Sequence, residues 1–225
     1  MKYIIYSANI GGYDLFNTPK LYDKNVRYIL FTDNKYIKSD IWEVNHVDFL
    51  NHLDNRRKAR FIKTNPKVVL PEHDISLWID HNFTPNISNF EKFIDENNFL
   101  NHEIMLYKHR FRNCIYEESL KVLEMKKEHY NIVNTQMLKY KNEKFPKNFG
   151  LYETGFMLRK NNDKVNLFNN FWWNEIQLGS GRDQLSQMYS SWKLNINLSS
   201  FYFGDSAYYN DYSIANKHIK EYVAK

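Results

Sequence analysis

The sequence predicts an α/β fold with a Rossmann-like, largely parallel central sheet flanked by helices. Short β-rich apolar runs alternate with helical stretches over short connections in the N-terminal third, the pattern of a layered parallel sheet. Several of those runs end directly in polar turn residues, where open α/β sheets place their ligands. No internal repeat, low-complexity tract or Ser/Gly-rich linker divides the 225 residues. Residues 1–225 therefore read as one domain, long enough to bury a substantial core.

The elements follow in order. Lys2 to Ala8 is a β-rich apolar run ending at the turn signal Asn9-Ile10-Gly11-Gly12. Arg27 to Phe31 is a second strand, closed by Thr32-Asp33-Asn34, and Ile41 to Val47 a third. Asp54 to Thr64 has helical character with Asp54 as N-cap, and Pro66 ends that helix at about Asn65. Ile75 to Ile79 is the fourth strand and runs straight into Asp80, although a carboxylate buried without a partner is costly. In the more helical second half, Ile87 to Asn97 and the long region from Cys114 to Lys141 are periodic, with a strand from Glu103 to Tyr107 between them. Gly155 to Leu158 is a short strand before helices near Lys164 to Ile176 and Arg182 to Trp192. The stretch 201–225, rich in Tyr and Asn, reads as a flap or a packed tail.

Hydrophobic residues make up 43% and charged ones 25%, an ordinary globular balance. Aromatics reach 17%, which fits either codon bias in an AT-rich genome or a surface for stacking on sugars or bases. The net charge of +5 favours an anionic partner: a nucleotide, a nucleic acid or an acidic membrane surface. Cys114 is the sole cysteine, which excludes an intrachain disulfide and points to a reducing compartment. No apolar run approaches the roughly 18 residues of a membrane span, and Met1-Lys2 leads directly into YIIYSA with no long apolar region or small-residue cleavage site. The expectation is a soluble cytoplasmic protein, with peripheral membrane contact through a basic face.

Four polar clusters could carry chemistry. Gly11, Gly12, Tyr13 and Asp14 follow the first strand; paired glycines let a ligand approach the backbone and Tyr13 could stack on a base, or the stretch is a tight turn. On a helix, Arg57, Arg60 and Lys63 form one stripe at i,i+3 steps, which either holds a diphosphate or is a solvated face. Asp80 and Asn82 offer oxygen ligands for Mn²⁺ or Mg²⁺, or make local turn hydrogen bonds. Gly179 to Gln184 is a flexible turn entering a helix, where Asp183 either stabilises the helix start or serves a reacting centre.

The order of YSANIGGYD, FTD, RRKARFIK, SLWIDHN, KHRFRNCIYEE, GLYETGFMLR and RDQLSQ from Tyr6 to Gln187 resembles nucleotide-sugar glycosyltransferases with the GT-A fold. More narrowly it resembles the family once catalogued as domain of unknown function 616, with plant, bacterial and viral members. The resemblance implies a GT-A-like fold and transfer of a sugar, from a UDP-sugar first, to a saccharide or glycoconjugate acceptor in polysaccharide biosynthesis. It implies that strand four carries the counterpart of the acidic D-x-D motif, with Asn82 in place of the second acid. The Gly11 to Asp14 turn and Asp33 would line the nucleoside, while Arg60 and Lys63 would approach the phosphates. Asp183 would lie near acceptor or sugar, and His109, Arg112, Tyr116 and Glu153 match further motif positions, with Gln184 beside Asp183.

The chemistry suits these residue types. A cation together with Arg and Lys stabilises the departing diphosphate, and a carboxylate takes the acceptor proton if configuration inverts. Asp183 is the first expectation for that base and Glu153 the second. Two other classes stay open: a catalytically inactive carbohydrate binder, suggested by Asn82, and a basic nucleic-acid-binding module, for which no helix-turn-helix, zinc-ligand or RNP pattern speaks.

Overall fold

A computed structural model describes residues 1–202 and 204–219. Strand β1 (Tyr3–Asn9) pairs in parallel with β2 (Arg27–Thr32) and with β4 (Ile75–Ile79), and β2 pairs in parallel with β3 (Trp42–His46). Beyond β4 lies β7 (Tyr152–Lys160), antiparallel to both its neighbours, then β6 (Ile104–Lys108) and the two-residue β8 (Ser199–Ser200), which is parallel to β6. The order is β3-β2-β1-β4-β7-β6-β8. Since β7 opposes both β4 and β6, those two run the same way. The carboxyl ends of β1, β2, β4 and β6 and the amino end of β7 thus share one edge.

The central strands are apolar at nearly every position because both faces are covered. Ile4, Tyr6, Ile29, Phe31 and Trp78 pack on one face against Ile62 of α1 (Asn55–Thr64) and Phe168, Trp172 and Ile176 of α6 (Asp163–Leu178). Ile5, Leu30, Leu77, Ile79 and Leu158 pack on the other against Phe90 and Phe93 of α3 (Phe90–Glu96). A third cluster joins α4 (Ile115–Glu124), α5 (Tyr130–Asn142) and α7 (Gln184–Leu194), where the rings of Tyr140 and Tyr189 stack at 3.8 Å. Much of the aromatic excess is therefore core.

Helix α1 starts as its sequence dictates: the Asp54 carboxylate accepts from the Arg57 N–H at 2.9 Å. Pro66 then opens α2 (Pro66–Val69), where its missing N–H costs nothing. Other boundaries differ from expectation. The region Cys114–Lys141 is two helices, broken where Lys126 takes φ 51°, a left-handed stop made without glycine. Helix α3 begins at Phe90 rather than Ile87, because Asn89 caps it through the Lys92 N–H at 2.9 Å. Strand β7 extends well beyond Gly155–Leu158 on both sides.

Strand β5 (Phe83–Pro85) pairs with β9 (Ser213–Ala215), a contact between distant segments that local pattern does not reveal. The expected flap or tail over 201–225 is described for 201–202 and 204–219: Phe201 and Ala207 are buried, and 213–219 run back over the shared edge. Phe203 and residues 220–225 lie outside the described residues.

Candidate functional site

Asp80 ends β4 at the shared edge, and its backbone carbonyl accepts from Phe83 N–H at 2.8 Å to form a tight turn. Its Oδ1 accepts from the Trp78 indole at 2.7 Å and from Lys63 Nζ at 3.3 Å. Lys63 is fully buried and also donates to Asp183 Oδ2 at 2.6 Å, an oxygen that takes the Thr154 hydroxyl at 3.0 Å as well. Arg60 completes the group, with Nε 3.3 Å from Asp183 and NH1 4.0 Å from Asp80. The basic stripe of α1 therefore turns inward at Arg60 and Lys63. Arg57 does not join it: its guanidinium bonds Asp54 at 2.8 Å and the Gly179 carbonyl at 3.0 Å.

Lys63 is held from behind. Its backbone carbonyl accepts from the Tyr6 hydroxyl at 2.9 Å and from the fully buried Arg159 of β7 at 2.7 Å. Arg159 also donates to Tyr6 Oη and Asn169. The sheet core thus fixes the cation that pairs both aspartates.

Burial alone would raise the Asp183 carboxyl pKa. Arg60, then Lys63, overcome that and hold it well below the usual carboxylate range. A carboxylate so stabilised is a weak proton acceptor, which argues against Asp183 as the base and for a role in positioning the two cations. It occupies the N-cap of α7 without a side-chain capping bond, so its charge serves the cluster and not the helix start.

The loop before α7 is braced by Glu128, which accepts from Ser180 Oγ at 3.0 Å and Gly181 N–H at 3.1 Å. Arg182 follows in this loop; burial and then the charge of Arg60 lower its pKa, while Asp183, Glu118 and Asp80 act against them. Its Nε is buried without a hydrogen-bond partner among the described residues. Sequence reasoning missed Arg182, although it lies inside the quoted RDQ motif; no local signal separates it from the spent arginines. Gln184 Nε2 donates to the Tyr152 carbonyl at 3.2 Å, joining α7 to β7.

Next to this cluster, β7 bulges against β6: Leu106 opposes Met157, whereas Tyr107 opposes Glu153. Bulges re-aim side chains at sheet edges. Here Thr154 reaches Asp183, and Gly155 faces Asp80 so closely that a Cβ would stand 2.9 Å from the Phe83 ring and 3.3 Å from Asp80 Oδ2. Glu153 accepts from Arg110 Nε at 3.0 Å and from Ala207 N–H at 2.9 Å, and burial raises its pKa. His109 Nδ1 accepts the N–H groups of Phe111 and Arg112, while Arg112 Nε pairs with Glu118 at 2.6 Å; both residues shape the loop after β6. Tyr116 points away, its hydroxyl on the Phe145 carbonyl at 2.9 Å.

At the β1 end, the Gly11 N–H donates to both Asp33 oxygens, at 3.0 and 2.9 Å, with Gly11 at φ +74°. Gly12 follows in the same left-handed region at φ +62°. The segment 213–219 straps this end to β4: Asn216 N–H donates to the Asn82 backbone carbonyl at 2.7 Å, Ile219 N–H to the Tyr13 carbonyl at 3.2 Å, and His218 pairs with Asp14 at 2.6 Å. His81 turns inward from Asp80 to stack on Phe16, and burial pushes its pKa down to about 4.

Among the described residues no three His, Cys, Asp or Glu side chains gather as a metal cage. Asn82 is buried and its backbone carbonyl engaged by the strap. Asp80 Oδ2, facing Gly155, fits the other mode of hard-cation binding, in which one carboxylate shares the ion with substrate phosphates and water.

The family model of the TOD1/MUCI70 glycosyltransferase-like domain matches residues 2–218. The chain belongs to this family. The TOD1/MUCI70 match spans β1 through the strap and agrees with the mixed sheet, which is compatible with a GT-A-like fold. Membership in TOD1/MUCI70 supports a general glycosyltransferase role, with a sugar donor and an acceptor as partners. No curated protein matches the chain. No helix among the described residues is long and apolar enough to cross a membrane.

Proposed function

We propose that the protein transfers a glycosyl group from a nucleotide diphosphate sugar, a UDP-sugar first, to a saccharide or glycoconjugate acceptor. One observation supports this reading: Arg60 and Lys63 converge on Asp80 and Asp183 at the carboxyl edge of the sheet. As the glycosyl bond breaks, negative charge grows on the departing diphosphate, and preorganised cations in a partly dehydrated site stabilise it without reorganising. Arg182, whose Nε has no partner among the described residues, is assigned to the phosphates. Asp183 and Asp80 keep Arg60 and Lys63 in place. The nucleoside is assigned to the Gly11–Asp14 turn and Asp33.

A divalent cation arriving with the donor would be held by Asp80 and would supply Lewis-acid stabilisation of the diphosphate. If the outcome inverts configuration, Glu153 takes the acceptor proton, since its raised pKa makes it the better base of the two carboxylates. The inward-turned stripe supports a small enclosed anion rather than the open row of charge that a nucleic acid backbone requires.

The test is a thermal-shift series with UDP-, GDP-, CMP- and dTDP-sugars, with and without Mn²⁺. A donor at a hundred times its dissociation constant adds about 2.7 kcal/mol of stability. No shift with any nucleotide at about millimolar concentration overturns the donor site, because a constant weaker than that is worth under about 4 kcal/mol of binding.

A further inference from the structure

Beside the cation cluster lies a second, differently built surface. The Arg110 guanidinium sits over three rings, 4.6 Å from the centroid of Tyr208, 5.1 Å from Phe111 and 5.4 Å from Tyr209. The rings are not core: Phe111 is 73% exposed, Tyr209 67% and Tyr208 43%. Large exposed aromatics gathered in one place mark a binding surface.

The surface is held rigid. Ala207 N–H binds Glu153, and Asn210 Nδ2 bonds the carbonyls of Ser206 and Ala207, both at 3.0 Å, which fixes the turn that carries the two tyrosines. His109 fixes Phe111 from the other side. Such preorganisation lowers the ordering cost of binding. The surface also touches the reacting end: Tyr208 packs edge-on to Phe83 at 4.9 Å, and Phe83 and Asp80 Oδ2 both close on Gly155.

Two properties define the occupant. Aromatic faces are electron-rich and attract polarised C–H groups; a pyranose presents such a face while its hydroxyls stay in water. Arg110 is already neutralised by Glu153 at 3.0 Å, so the arginine over these rings does not bring an unpaired charge to an acidic ring. We propose that Arg110, Phe111, Tyr208 and Tyr209 form the acceptor platform, which takes an uncharged pyranose of a saccharide and presents its hydroxyl to Glu153 and the Asp80 edge. This inference rests on the glycosyl-transfer reading above.

The experiment is calorimetric titration of UDP-loaded protein with neutral glucose and mannose tetrasaccharides and with a hexuronate tetrasaccharide. Wild type binds a neutral tetrasaccharide more tightly than the hexuronate. Tyr209→Ala and Phe111→Ala, both exposed enough to spare the fold, each weaken that binding about tenfold, and Tyr209→Phe retains it. UDP affinity stays within about twofold in every variant, because the platform does not touch the nucleotide end. Unchanged saccharide affinity in both alanine variants overturns the proposal, as does tighter binding of the hexuronate or no saccharide binding at about 10 mM. Should nucleotides fail to bind while saccharides bind through these rings, the transfer reading falls and the platform stands.

Discussion

Arg60 with Asp183 and Arg110 with Glu153 are arginine–carboxylate pairs on the same sheet edge, yet their surroundings differ. The first is closed: its side chains are 15% and 2% exposed, and Lys63, Thr154 and Asp80 add further bonds. The second lies under exposed rings, and its carboxylate also accepts a backbone N–H from a distant turn. In the first, excess positive charge holds the carboxyl pKa down; in the second, burial with one partner lets it rise. The same two functional groups thus suit an electrostatic clamp in one place and, in the proposed inverting reaction, a proton acceptor in the other, according to how many cations share the carboxylate.

The largest effect that sharpens this contrast is on turnover. Glu153→Gln is expected to lower transfer by a factor of about 10² to 10⁴, the usual loss for a general base. Because burial raises the Glu153 pKa above the ordinary 4.5, ionised base is lost as pH falls through that raised value. Wild-type turnover therefore declines on the acid side before an ordinary glutamate would, and the pH–rate profile of the Gln variant lacks that limb.

Stability breaks the comparison the other way. Lys63→Met leaves Asp183 buried with one fewer cation and is expected to cost about 3–5 kcal/mol in urea unfolding. Arg110→Met leaves Glu153 with its backbone N–H partner and able to take a proton, and is expected to cost less than Lys63→Met. Equal losses would mean that the two pairs are equally closed.

Donor affinity comes next. Arg182→Ala is expected to weaken nucleotide diphosphate binding about ten- to a hundredfold, as for a lost charged hydrogen bond. Arg57→Ala, whose guanidinium serves Asp54 and Gly179, is expected to stay within about twofold. Calorimetry with UDP reads both.

The smallest effect lies in the strap. The hydrogen bond that protonated His218 donates to Asp14 raises its pKa above 6.5. A group raised in the folded state contributes fully below its ordinary value and loses the contribution as pH rises through the raised one. Hydrogen-exchange protection of the Asn216 and Ile219 amides should therefore fall across that window, and His218→Ala should remove the pH dependence.

Much of this edge is legible in the sequence because its pieces are local. An apolar run meeting Asp80 announces a strand end, and Asp54 announces the helix that carries Arg60 and Lys63. The inward turn of that stripe is not local, since it depends on Arg159 and Tyr6 gripping the Lys63 carbonyl from the sheet. Nor can a pattern of residues separate Arg57 from Arg182, when one finds the Gly179 carbonyl and the other keeps an unsatisfied nitrogen. The break at Lys126 escaped because a lysine takes the left-handed position that glycine usually marks. Tyr208 and Tyr209 reach Glu153 through a turn more than fifty residues away, 54 from Glu153 to Ala207, and no window of sequence spans that.

The strap also bears on how the molecule is assembled in time. His218 meets Asp14 across 204 positions of chain, and β5 waits for β9 before its edge is paired. Contacts of such separation are slow to form because a long loop must close before they repay its entropy. Strands β1, β2 and β4 come from the first eighty residues and can collapse together early, whereas the end of β1 and the turn after β4 are joined only when the last described residues arrive. The rim at the Gly11–Asp14 turn is thus finished after the sheet that bears it, and a chain halted before Ser213 would have a built sheet with an unfinished rim.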